Sequence, residues 1–215
     1  FNFSAMNNYA SKLAKGDVYI LVNNDIIFLT ENWGKEIASN AMRPDIGCVG
    51  SKLLYSDNSI QHAGVILGIG GIAGHSHKYF PGIDNGYHGR LKLSQEYTAV
   101  TGALLGISKN NWNKIGGMDE RNLKVNYNDV DFCLKAKSIG LKNIFLPQII
   151  AYHLESKTRG RPEGLAYSQW KKERNFMKKK WRTLLNEDPA YNPNLTLLEE
   201  NFSFRNNGID KLYCR

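Results

Sequence analysis

The stretch that most constrains this chain is VYILVNND, residues 18–25, an unbroken apolar run that ends in two amides and a carboxylate. Val18, Tyr19, Ile20, Leu21 and Val22 read as a buried strand. In open α/β sheets, ligands gather in the crevice outside the carboxyl ends of the strands. Asn23, Asn24 and Asp25 stand at that end. Hard divalent cations take oxygen ligands and bridge protein carboxylates to substrate phosphates. Asp25 is therefore the first candidate metal ligand, with Asn23 as the outer polar group of the same turn. An ordinary Asn/Asp turn after a strand has the same letters, so the assignment needs support from the rest of the chain.

Helix and strand signals alternate around this run. Residues 4–15 read as a helix capped by Ser4 and stopped by Gly16. Residues 31–42 read as a second helix, with Trp33, Ile37 and Ala41 at helical spacing and a break at Pro44. Residues 48–55 read as a strand. This alternation predicts an α/β fold with a mostly parallel sheet flanked by helices. Residues 56–96 are rich in Gly, His and turn residues and read as a long functional loop. YTAVTGALLGIS, residues 97–108, reads as a central strand. Gly102 within it marks a close approach by a ligand or another backbone. A short helix over 109–115 ends at Gly116-Gly117. Residues 143–150 read as a strand pair punctuated by Pro147, and 166–185 as a long basic amphipathic helix. The proline-rich turn at 188–194 ends that helix.

Two further stretches carry chemistry. Asn128-Asp129-Val130-Asp131 opens a helix continued by Val130, Cys133, Leu134 and Lys137. Asp129 falls in its first turn, where the helix dipole favours an ionised carboxylate. In a cleft such a group acts as a general base toward a hydroxyl. His153 follows an apolar run, a second metal-capable side chain at a strand end. Two other patterns fail. GIGGIA, residues 68–73, has the spacing of a dinucleotide fingerprint, but the residues after it do not propagate the required helix. His75 and His77 lack a Cys or a third close ligand for zinc.

Composition narrows the partners. Lys and Arg number 28 against 20 Asp and Glu, a net charge of +8. A basic balance suits phosphates, anionic membrane surfaces or nucleic acid. No nucleic-acid-binding motif is present, and nucleic acid is not an expected partner. The basic residues concentrate between Lys171 and Arg182 (KKERNFMKKKWR), a surface suited to peripheral contact with an anionic membrane. No apolar run approaches the roughly 20 residues of a membrane span. The three cysteines, Cys48, Cys133 and Cys214, are far apart and odd in number, which fits a reducing compartment. The expected location is cytoplasmic, at the inner face of the membrane.

The ordered set of motifs resembles the family 2 glycosyltransferases of GT-A fold, in particular their rhamnosyltransferase-like O-antigen and polysaccharide members. Asn2-Phe3-Ser4 with Asn7-Asn8 resembles the helix before the family's metal strand. Asn23-Asn24-Asp25 looks like a variant of its Asp-x-Asp motif. Gln61-His62-Ala63-Gly64, Gly74-His75-Ser76-His77, Thr101-Gly102-Ala103, Gly116-Gly117-Met118-Asp119-Glu120, Asn128-Asp129-Val130-Asp131 and His153-Leu154-Glu155-Ser156 follow in the family's order.

The resemblance implies inverting transfer of a sugar from a nucleotide-sugar donor to a hydroxyl of a glycan or lipid-linked saccharide. It implies Mn²⁺ or Mg²⁺ held by Asp25 and His153, and Asp129 as general base. Asn8, Asn23, Asn24, Gly102 and Arg159 would lie on the donor side, Asp119 and Asn128 on the acceptor side. The family's opening strands do not precede Phe1. About 80 to 100 residues of a typical domain are then missing. The expected architecture is a partial GT-A-like domain over 1–160, holding the metal and acceptor half, with a C-terminal helical extension over 161–215. Weakened activity of this chain is the corresponding expectation. A non-catalytic binding or assembly module is the rival reading, separated by metal-dependent nucleotide binding.

Overall fold

The computed structural model describes residues 1–154 and 163–206. Helix α1 (Phe3–Leu13) leads into strand β1 (Val18–Val22), β2 (Ile26–Phe28), helix α2 (Trp33–Ala41) and the long strand β3 (Ile46–Leu54). Then come β4 (Ile60–His62), a hairpin of β5 (Val65–Leu67) and β6 (Ala73–His75), β7 (Gln95–Tyr97) and β8 (Leu104–Ser108). Helices α3 (Lys109–Ile115) and α4 (Asn128–Ser138), strand β9 (Lys142–His153) and helices α5 (Gly164–Lys180) and α6 (Arg182–Asn186) follow.

Among the described residues, seven strands form one mixed sheet in the order β1-β8-β3-β9-β2, with β4 on β3 and β7 on β9. The mixed α/β sheet flanked by helices agrees with the sequence; the expected dominance of parallel pairing does not. Only β3–β9 is parallel. The β1–β8, β2–β9, β3–β4, β3–β8 and β7–β9 pairs are antiparallel. Strands β1 and β3 do run the same way, as their helical connection requires, but β8 inserts between them in the opposite sense. That insertion comes from a segment some 80 residues along the chain, which local periodicity does not foresee.

Both faces of the sheet are covered. On β3, Cys48 packs into one core cluster and its neighbour Val49 into another; on β8, Leu105 and Leu104 divide the same way. Successive side chains point to opposite faces of a strand, so all nine residues of β3 are buried. Ile37 and Ala41 of α2 cover one face, Trp112 and Ile115 of α3 with Phe132 and Leu134 of α4 the other. A third cluster joins Leu54, Ile60 and Phe145 to Tyr191, Leu195 and Phe202 of the C-terminal tail.

Several local expectations shift. The cap of α1 is Asn2, whose side chain accepts from Ala5 N at 3.0 Å. Ser4 is buried instead and donates to Leu123 O. The segment expected as one strand over 97–108 breaks between β7 and β8, at the Thr101–Gly102 turn. Residues 56–96 are not a loop throughout: β4 joins the main sheet and β5–β6 forms its own. Pro147 sits inside one continuous strand, β9, where the register against Ser51 and Lys52 shifts between Leu146 and Ile150. A bulge tolerates a residue without an N–H donor. The long basic helix divides at Trp181 into α5 and α6.

Candidate active site

The turn after β1 is fastened from three sides. Asn23 N donates to Ala103 O at 2.9 Å, Ile26 N to Asn23 O at 3.2 Å, and Leu154 N to Asp25 O at 3.0 Å. The register of β2 on β9 places Ile26 opposite His153, so Asp25 meets that imidazole. His153 Nε2 lies 3.1 Å from Asp25 Oδ1 and 3.2 Å from Asn23 Nδ2. Its other nitrogen, Nδ1, lies 2.6 Å from Gln61 Oε1 on β4. A carbonyl oxygen only accepts, so Nδ1 carries the proton and Nε2 presents a lone pair, which accepts from the Asn23 amide. Asp25 Oδ1 is buried and meets no hydrogen-bond donor. Asp25 Oδ1 and His153 Nε2 thus converge as two possible ligand atoms, the imidazole lone pair being engaged by the Asn23 amide. That donor set fits a divalent cation, and the bond to Gln61 is the outer contact that orients a metal-binding imidazole. No third His, Cys, Asp or Glu joins them among the described residues.

The second constellation forms at the broken strand. Gly102 N donates to Asp129 Oδ2 at 2.9 Å and Val130 N to Asp129 Oδ1 at 2.8 Å. Burial pushes the Asp129 carboxyl above its ordinary value, against the stabilising pull of these amides and the Thr101 hydroxyl. A Cβ at position 102 would come within 3.2 Å of Asp129 Cβ and 3.5 Å of the Phe3 ring, so Gly102 lets the acid approach the turn. An open pocket of about 260 Å³ lies beside Asp129, lined by Val65, Ala73, His75 and the 125–130 turn. Asn128 lines it too, and its amide donates to Val125 O at 3.0 Å. The two carboxylates therefore sit in different surroundings: one beside the His153 imidazole at a strand end, one held by amides at a pocket.

Other residues singled out by sequence are engaged elsewhere. Asn8 spends its side chain on α1 docking: it accepts from Met118 N at 2.9 Å and donates to Met118 O and Glu120 Oε2 at 2.9 and 2.8 Å. Asp119 closes its own turn, accepting from Asn122 N at 3.0 Å and from the Asn122 amide. Burial would raise its carboxyl, but these donors outweigh it and hold it below the ordinary value. Asn24 is exposed on the Asp25 turn. Arg159, with Glu155 and Ser156, lies outside the described residues.

Sequence reasoning assigned no role to Glu173. On α5, amid the basic run, it is fully buried. Its oxygens accept from Lys124 N, Val125 N and Asn126 N at 2.7, 3.0 and 3.0 Å, and from the Asn126 and Gln169 amides. A lone acid at a helical position that should pack inward was the available signal. Asp131, also fully buried, takes Lys180 Nζ at 2.6 Å and Trp181 Nε1 at 2.7 Å. Asp188 accepts from Leu67 N at 2.7 Å and from the Thr98 hydroxyl, tying the C-terminal tail to the strands around the pocket.

No protein-family model matches the chain. It is 44% identical over 205 residues to an uncharacterized protein, y4gI, of Sinorhizobium fredii, covering 94% of this chain and 22% of that protein. It is 33% identical over 214 residues to the O-antigen biosynthesis protein RfbC of Myxococcus xanthus, covering 98% of this chain and 16% of that protein. The chain thus spans about a fifth of the length of these curated relatives. In three dimensions, 84% of it superposes on 35% of a crystal structure of GalNAc-T7 with UDP, GalNAc and Mn²⁺, at a TM-score of 0.59 and 14% identity. That likeness shows the architecture: the chain has the fold of the GT-A glycosyltransferases.

Proposed function

We propose that this chain is the metal-and-acceptor part of an inverting glycosyltransferase. It moves a sugar from a nucleotide-sugar to a hydroxyl of a glycan or lipid-linked saccharide during cell-surface polysaccharide synthesis. The observation that carries the reading is the pairing of the two sites. Asp25 Oδ1 faces His153 Nε2 without a donor between them, and Asp129, with its raised carboxyl, borders a pocket on the adjoining turn. The GT-A fold and the likeness to an O-antigen biosynthesis protein support it.

Asp129 takes the proton of the acceptor hydroxyl as its oxygen attacks the anomeric carbon. The bond to the nucleoside diphosphate breaks in the same displacement, and the anomeric configuration inverts. No covalent enzyme intermediate is required, so one base and one means of stabilising the leaving group suffice. Asp25 and His153 would hold Mn²⁺ or Mg²⁺, which supplies charge stabilisation at the departing diphosphate. Asn23, Asn24, Gly102 and Arg159 are assigned to the donor side. Asn128 shapes the acceptor pocket, Asp119 supports the loop behind it, and Asn8 anchors that loop to α1. Residues 1–160 are assigned to the catalytic part and 161–215 to a C-terminal extension. The basic run from Lys171 to Arg182 docks on an anionic membrane near the acceptor. No helix among the described residues is long and apolar enough to cross a membrane.

Calorimetric titration with UDP, GDP and dTDP, with and without Mn²⁺, tests the assignment on this chain and on Asp25→Ala. Binding of one nucleotide that needs both Mn²⁺ and Asp25 is the expected result. Binding indifferent to both, or none to either protein, would sink it.

A further inference from the structure

His75 borders the Asp129 pocket, and its tautomer is set by a chain of hydrogen bonds. Its Nδ1 lies 2.8 Å from His62 Nδ1. His62 is fully buried on β4. The other nitrogen of His62, Nε2, faces two backbone amides, Gly64 N at 3.3 Å and Thr101 N at 3.4 Å. Amide groups only donate, so this Nε2 is bare and a neutral His62 carries its proton on Nδ1. His62 therefore donates to His75. His75 Nδ1 is an acceptor, and its own proton sits on Nε2, at the ring edge away from His62. Burial keeps both rings neutral: it holds His62 well below the ordinary imidazole value and His75 at about 4.

One backbone turn serves one ring and one acid. Thr101 N–H points to His62 and the next amide, Gly102 N–H, to Asp129. His75 and Asp129 thus line one pocket, with an acceptor oxygen on one side and a tautomer-locked N–H on the other. Val65 and Ala73 add apolar wall, a mixture suited to a single sugar ring with its polar edge and apolar face.

Building on the glycosyl-transfer reading, we propose that His75 is an acceptor-specificity residue. Its Nε2–H donates to a ring or hydroxyl oxygen of the acceptor sugar seated beside Asp129. His62 is the positioning residue that fixes the tautomer.

The test uses the full chain with ¹⁵N-labelled histidine. Long-range ¹H–¹⁵N spectra at neutral pH read both tautomers, and methyl glucoside, mannoside, galactoside and rhamnoside are then titrated in. The same glycosides serve as acceptors with UDP-, GDP- and dTDP-sugars. His62 protonated on Nδ1 and His75 on Nε2 is the expected spectrum, and the His75 Nε2 signal moves with those glycosides that are turned over. His75→Phe raises acceptor KM about tenfold, the loss of one hydrogen bond, with donor KM within twofold. His75→Gln, which offers an N–H near the same place, recovers most of the loss. A His75 proton on Nδ1, a His75 signal unmoved by a glycoside that is turned over, or an unchanged acceptor KM in His75→Phe would overturn the assignment. No transfer by the wild-type chain to any glycoside counts against the glycosyl-transfer reading and removes the role of His75 with it, whereas the tautomer spectrum judges the relay independently.

Discussion

Asp25, Asp119 and Asp129 carry the same carboxyl group, and what their oxygens touch separates their roles. Asp119 is surrounded by Asn122 donors and sits below its ordinary value; Asp129 is raised by burial. A base must be ionised to take a proton, so activity falls as pH drops through its pKa. Because that pKa is raised, the acid limb of the kcat/KM profile should lie above the usual Asp value of about 3.9. Asp129→Asn should lower transfer by at least about a hundredfold and leave Mn²⁺-dependent nucleotide binding in place. Steady-state kinetics beside calorimetry checks both halves of that outcome. At the other site, His153 is oriented by Gln61. Gln61→Ala frees the imidazole, and an apparent Mn²⁺ affinity about tenfold weaker is expected in the same titration.

Helix α5 looks from its letters like a solvated basic helix, yet its one buried acid organises the turn that leads into α4. Glu173 satisfies three consecutive backbone amides, 124–126, directly before Tyr127, whose φ of 60° brings the chain into the helix. Glu173→Gln replaces an oxygen with an amide that meets N–H donors. The loss should be roughly 3 kcal/mol in urea unfolding, with an impaired acceptor KM as the turn loosens. On the opposite face of the sheet, α2 lies so close to β8 that a Cβ on Gly106 would fall 2.1 Å from Ile37 Cγ2. Gly106→Ala should therefore cost about 1–3 kcal/mol, and a smaller cost of the same change in an Ile37→Ala background, where Cγ2 is gone, would confirm where the clash lies.

At the scale of the molecule, the C-terminal tail and the sheet share a core. Tyr191, Leu195 and Phe202 pack with Leu54, Ile60 and Phe145. Asp188 holds Leu67 N and Thr98. The exposed cations of α5, Lys171, Lys172 and Lys179, remain on the outside. If this face docks on a membrane, reversing all three to Glu should abolish co-sedimentation with phosphatidylserine vesicles at low salt, each charge contributing about 1 kcal/mol. Co-sedimentation that persists would remove the membrane assignment.

The sequence by itself determined the local chemistry. The run 18–22 had to be a strand, though only Tyr19 and Leu21 of it are buried and Val22 is exposed; Asn23–Asp25 had to fall at its end, and Asp129 had to open a helix, because these follow from period, caps and turn residues within a few positions. The tertiary structure alone decided which of these meet. Strand β8 enters between β1 and β3 and makes the sheet mainly antiparallel. The register of β2 on β9 brings Asp25 to His153. The Thr101–Gly102 break supplies one amide to His62 and the next to Asp129. Glu173 and Asn8 took structural duties that no local pattern announces. Each of these contacts joins residues at least 27 positions apart, and such pairings are set by packing of the whole sheet, whose free energy is not written in any short window of the chain.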